Sequence, residues 1–118
     1  MSAPIKYIAH ERWNSMYRNT EVYVDRKLKY MPYAEAGVRI HEDSSISLVS
    51  FATTVITIDS DGFLTSHGIY GKCTGRHITA FLREYAPQIT YNIVKLSWKE
   101  HFAINIETGE TKDLKWGD

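Results

Sequence analysis

Cysteine is almost missing from this sequence. Cys73 stands alone among 118 residues, which excludes an intrachain disulfide and fits a reducing compartment. Neither Cys-x-x-Cys nor His-x-x-x-His occurs around His10, His41, His67, His77 and His101, so the usual spacing of zinc ligands is missing and no metal site is expected. No charge sign dominates: fourteen Lys and Arg balance fourteen Asp and Glu. The chain as a whole therefore exerts no general pull on phosphate, and any nucleic-acid contact must come from a local patch. No stretch approaches the roughly 18 apolar residues of a membrane span. The opening Met1-Ser-Ala-Pro-Ile-Lys-Tyr7 lacks the basic segment and apolar run of a signal peptide. The expected address is the cytoplasm, without a membrane partner.

Glycine and proline are also sparse, at seven and three. No Gly/Ser-rich linker, low-complexity tract or internal repeat divides the chain, so residues 1–118 read as one domain. The phosphate-cradling P-loop is lacking, and Gly68-Ile-Tyr-Gly71 with Gly75 does not have the glycine order of a dinucleotide site, so no cofactor is expected. These glycines read as a turn into a helix, or as a backbone nest for an anion with Lys72 and Arg76 beside it. Asp59-Ser-Asp61-Gly62 begins like a calcium loop, but Tyr70 stands where the bidentate glutamate belongs, leaving the aspartates as turn formers.

Aromatic residues are what the chain has in quantity, at 13% with eight tyrosines. They suit half-buried sheet faces or a contact surface. Strand composition runs from Ile5 to Ala9 and from Glu21 to Tyr30, with Asn19-Thr20 as the expected turn and Pro32 at an edge or loop. Gly37 to His41, Ile46 to Phe51, Thr53 to Ile58 and Phe63 to Ser66 follow as a meander, turning at Glu42–Ser45 and at Asp59–Gly62. Ile78, Phe81, Leu82 and Tyr85 then repeat at i, i+3, i+4, i+7, which predicts a helix capped by Thr74 and stopped by Pro87. A second helix is expected after Thr90, with Ile93, Leu96 and Ser97 inward and Lys95, Lys99 and Glu100 outward, although Ile89-Tyr91-Ile93 also alternates like a strand. Phe102–Ile106 and Thr111–Trp116 flank a turn at Glu107–Glu110. The expected class is α+β: an antiparallel meander packed by one or two helices, with a C-terminal hairpin.

Catalytic chemistry has one candidate, Cys73 ahead of the helix with His67 and His77 near in sequence, set against a small buried cysteine filling the strand–helix junction. The sequence thus carries no recognisable catalytic motif, and a non-enzymatic binding protein is expected. Basic residues give the candidate binding set. Arg76 and Arg83 fall on the helix face opposite its apolar stripe, with Lys72 just before the helix, while Arg26, Lys27 and Lys29 cluster in an early strand, interleaved with Tyr23 and Tyr30. If both groups face one way they follow a phosphate backbone.

One stretch is more distinctive. Leu48-Val-Ser-Phe-Ala-Thr-Thr-Val-Ile-Thr-Ile-Asp59, Gly62-Phe-Leu-Thr65, the helix start Thr74-Gly-Arg-His77 and the closing Phe102-Ala-Ile-Asn-Ile-Glu-Thr-Gly-Glu110 resemble a family of small phage and prophage proteins of no assigned activity. The likeness leaves residues 1–35 unassigned. The chain departs from the pattern at Gly71 and Cys73, where serine and threonine are usual, and at Gly75 in place of a small polar residue. The resemblance implies a bacterial-virus setting, hence a bacterial host cell, and supplies no activity. With the missing active site and the aromatic excess, the leading expectation is a phage or prophage accessory protein that binds a host protein, for example as an inhibitor of a defence system such as a CRISPR effector. Trp13 and Tyr17 are then expected among the contact residues. Nucleic-acid or nucleotide binding through the basic helix face is the alternative, and a sheet with open edges is compatible with a homodimer.

Overall fold

The computed structural model describes residues 4–13, 15–68 and 72–114. Eight strands and two helices follow in the order β1 (Ile5–Trp13), β2 (Met16–Val24), β3 (Ala36–Ile40), β4 (Ile46–Ser50), β5 (Thr53–Ile58), β6 (Phe63–Ser66), α1 (Lys72–Tyr85), α2 (Tyr91–Glu100), β7 (Phe102–Asn105) and β8 (Thr111–Asp113). Strands β3 to β8 form one antiparallel sheet in sequence order, and β1–β2 form a separate hairpin. This is the α+β meander with a C-terminal hairpin that the sequence pattern specifies.

Period-2 patterning sorts the sheet into two faces. Cross-strand partners share a face, so Val38, Leu48, Ile56 and Ser66 line up across β3 to β6, with Ile58, Leu64 and Ile104 in the next row. The apolar members of these rows pack with Ile78 and Phe81 of α1 and Val94 of α2 in the main core. Phe81 and Leu48 are fully buried, each side chain contributing about 1.5–3 kcal/mol. On the opposite face Val49 joins Tyr7, Ala9, Val22 and Val24 of the hairpin in a second, smaller core. β4 is consequently covered on both sides, which its alternating apolar and polar letters did not imply.

The first third departs most from the sequence reading. The turn lies near Ser15, which has φ 66°, while Asn19 and Thr20 sit inside β2 opposite His10 and Ala9. Long cross-strand pairing over nine residues on each side outweighs the local turn preference of Asn-Thr. The strand expected to reach Tyr30 stops at Val24, because the chain bends so that Arg26 bridges Val38 on the edge of β3 and Leu28 enters the main core. The β2-to-β3 passage fixes one glycine: a Cβ on Gly37 would lie 2.5 Å from Val24 Cγ2 and 2.8 Å from the Arg26 carbonyl oxygen.

Both helices form where periodicity placed them, with local differences. α1 starts at Lys72, so Thr74 is a buried residue of the first turn and not the cap. α1 ends at Tyr85, ahead of Pro87. Thr90 caps α2 by accepting a hydrogen bond from the Ile93 amide at 3.3 Å. Val94 and Ser97 are its buried residues, whereas Ile93 and Leu96 face outward. Ser97 turns inward because its hydroxyl donates to the Phe102 carbonyl at 2.5 Å, tying the helix end to β7. The last strand of the hairpin ends at Asp113; Lys115 and Trp116, expected to extend it, lie outside the described residues, as do Ile69, Tyr70 and Gly71 of the predicted glycine turn.

Gly37→Ala tests the packing of the hairpin strand against the sheet. Overpacking at this contact is expected to cost about 1–3 kcal/mol, read as a lower urea midpoint at unchanged slope. An unchanged midpoint would show that Val24 and Arg26 move aside freely.

Candidate functional site

α1 is held on the sheet by a small polar cluster beside its apolar stripe. His77 Nδ1 and the Ser50 hydroxyl are 2.8 Å apart, and that hydroxyl is 3.3 Å from Thr74 Oγ1, all three residues being buried. The Phe51 ring packs on His77 with centroids 5.4 Å apart. Phe51 itself has φ 53°, a left-handed conformation that a bulky side chain rarely adopts. It is fixed there by its amide donating to the Glu35 carbonyl at 2.7 Å and its own carbonyl accepting from the Tyr7 hydroxyl at 2.5 Å. Burial holds the His77 imidazole below its usual range, opposed in lesser part by the Glu35 charge.

This arrangement redirects the histidines away from Cys73. The thiol is exposed, not buried in the strand–helix junction. His77 is committed to Ser50, and His67 Nε2 lies 2.9 Å from Thr57 Oγ1. Partial desolvation also lowers the pKa of His67, whose side chain is exposed. Among the described residues no group of three His, Cys, Asp or Glu side chains converges as a metal-binding set would.

With Ile78 and Phe81 inward, the helix period of about 3.6 residues puts Lys72, Arg76 and Arg83 outward, all three exposed. The structure brings Tyr30 to them: the Arg83 guanidinium lies over its ring at 4.1 Å and Lys29 Nζ is 5.5 Å from the same ring. The Lys29 amide donates to Glu84 Oε1 at 3.0 Å, which docks this loop on α1. Tyr30, Lys72, Arg76 and Arg83 therefore line one cavity of about 580 Å³, with Gly75 and Tyr91 between them. The remaining early residues go elsewhere. Lys27 sits 5.2 Å from the Tyr7 ring, Tyr23 pairs with Lys6 on the hairpin, and Arg26 bridges β3 near the Tyr85 hydroxyl. Buried Leu28 separates them: the chain turns there, so its two flanks diverge.

α2 completes the surface, and sequence reasoning missed its part. Lys95, Leu96, Trp98 and Lys99 line a second cavity of about 580 Å³, which shares Lys72 and Tyr91 with the first. The two are lobes of one groove. Gly75 permits the close approach of the helices: a Cβ there would lie 3.1 Å from the Tyr91 hydroxyl. Five cations line the groove, and among the described residues no carboxylate does. Lys95 Nζ is 5.8 Å from the Tyr91 ring centroid, and Trp98 and Leu96 are 44% and 47% exposed. Reading Val94 and Ser97 as the inner pair, in place of Ile93 and Leu96, would have placed these side chains outward together.

Neutral total charge conceals this segregation. In an antiparallel meander the β3–β4, β5–β6 and β7–β8 turns share one end of the sheet, and these carry Glu42, Asp43, Asp59, Asp61, Glu107 and Glu110. β6 runs away from that end toward the start of α1. Fold and site together define an α+β open-sheet domain with a cationic, aromatic-lined groove on its helical layer. No helix in the described structure is long and apolar enough to cross a membrane. No protein-family model, no curated protein and no solved structure matches the chain.

The seating of His77 makes stability depend on pH. The folded imidazole titrates below the unfolded one, whose pKa is about 6.5, so the unfolded chain takes up the proton first as pH falls. Stability is thus level above about pH 6.5 and declines below it. Urea midpoints should fall between about pH 7.5 and about pH 5.5, and His77→Asn should flatten the decline while leaving the share due to His67. A midpoint that rises in acid would contradict the buried seating of His77.

Proposed function

We propose that the protein binds nucleic acid along the α1–α2 groove. The observation that carries this reading is the concentration of five cations, with no carboxylate among the described lining residues, around Tyr30, Tyr91 and Trp98 in a chain of zero formal net charge. Phosphate neutralisation by Lys and Arg supplies most of the affinity of such surfaces, and aromatic rings beside the cations accept bases. The acidic sheet turns lie at the end of the meander away from the start of α1, so they repel phosphate there and orient it toward the helices. In the phage or prophage setting that the resemblance implies, the bound strand is host or viral nucleic acid in the bacterial cytoplasm.

Arg76 and Lys99 are exposed and line different lobes, so their joint replacement by alanine tests the groove without touching the core. Fluorescence anisotropy with a labelled oligonucleotide at low salt should show affinity reduced more than about tenfold, and a log–log salt slope shallower by about 2. The melting temperature should stay unchanged. Unaltered affinity and slope would remove the groove from the interaction.

A second reading, capture of a host protein such as a defence complex, is favoured by a different observation. Met16 and Tyr17, in β2 beside the hairpin turn, are 67% and 71% exposed; the Trp13 side chain lies outside the described residues. Tyr17→Ala should leave the urea midpoint intact and abolish co-purification of a nuclease-resistant partner. Retention of that partner would exclude the hairpin end.

A further inference from the structure

We infer that the groove selects single-stranded over double-stranded nucleic acid, an inference that rests on the nucleic-acid reading above. Shape is the first argument. A duplex is met by a protruding helix or ribbon that enters its major groove. Here the cations stand on two helices flanking a concavity, with Lys72 and Tyr91 at its middle. A stiff duplex meets such an inward-curving surface at few points, whereas a flexible strand follows it from one lobe to the other.

The exposed apolar lining is the second argument. Trp98 and Leu96 present apolar surface to water beside Lys95 and Lys99. Phosphate has no use for an indole, but an unpaired base stacks on it, and such stacking is open only to bases not already enclosed in a helix. In the other lobe the Arg83 guanidinium carbon lies 4.1 Å from the Tyr30 ring centroid, a cation–aromatic pair of the kind that single strands use. Each lobe, at about 580 Å³, falls in the range of about 300–1,000 Å³ typical of small-ligand sites, so it has room for a base and its sugar. The uncharged hydrogen-bonding side chains along the groove, apart from its tyrosines and Trp98, are Asn92 and Thr79, too few to read base edges at successive positions. The expected preference is therefore for strandedness and not for sequence.

The test uses the full chain with three probes: a labelled oligothymidine, a mixed-sequence duplex of equal length, and inorganic polyphosphate. Single strand should bind at least about tenfold more tightly than either competitor, with quenching of tryptophan fluorescence. Trp98→Leu should weaken single-strand binding about tenfold and leave polyphosphate binding and the melting temperature unchanged. Equal affinity for duplex or polyphosphate, or an oligothymidine affinity indifferent to Trp98→Leu, would overturn the single-strand inference while the nucleic-acid reading stood. Failure of every nucleic acid to bind at low salt would overturn both.

Discussion

His77 and Phe81 of α1 face the same sheet, one hydrogen-bonded to Ser50 on β4 and the other buried beside Leu48. The rest of the surface follows from this seating. A helix advances by about 100° per residue, so fixing two inward positions fixes every outward one, and Arg76 and Arg83 have no freedom to turn away. The polar contact is as binding as the apolar one. A buried imidazole without its hydroxyl partner would cost more than the hydrogen bond contributes when made, so α1 has one favourable rotation. Gly75, one residue before Arg76, lets Tyr91 close on the same helix and thereby sets how α2 joins the groove.

Charge is placed by topology as much as by composition. Tight turns favour Asp and Asn because their side chains satisfy local amides: Asp59 Oδ1 accepts from the Asp61 and Phe63 amides at 2.9 and 3.0 Å, and Asp43 Oδ1 from Ser45 at 2.9 Å. A meander gathers alternate turns at one end, so a purely local preference becomes an acidic pole. The helices are free of that demand and carry cations outward. A chain with no net charge thus has acidic turns at one end of its sheet and a groove lined by cations on its helices.

The sequence made some of this legible. Strands β3 to β6 and the inward face of α1 are strongly periodic, and their turns contain residues with a mechanism, so pattern and structure agree there. The β1–β2 hairpin was misread because Asn19-Thr20 looks like a turn while the true one, near Ser15, has no strong signal; the decisive pairing is nonlocal. In α2, apolar residues at Tyr91, Ile93, Val94, Leu96 and Trp98 surround a ten-residue helix, and periodicity alone does not choose the buried side. Its contribution to the groove was lost with that choice. Arg76, Arg83 and Tyr30 were separable in sequence as basic and aromatic residues, but only the docking of the Lys29 amide on Glu84 shows that Tyr30 joins them and that Tyr23 and Lys27 do not.

Ultraviolet crosslinking of the intact protein to a short single-stranded oligonucleotide, with adducts mapped by mass spectrometry, shows directly which side chains meet the bases. Adducts are expected on Tyr30, Tyr91 and Trp98, all within the α1–α2 groove. Adducts confined to Tyr17 and Tyr23 on the hairpin, or none at all under conditions where a known binder crosslinks, would contradict binding along that groove.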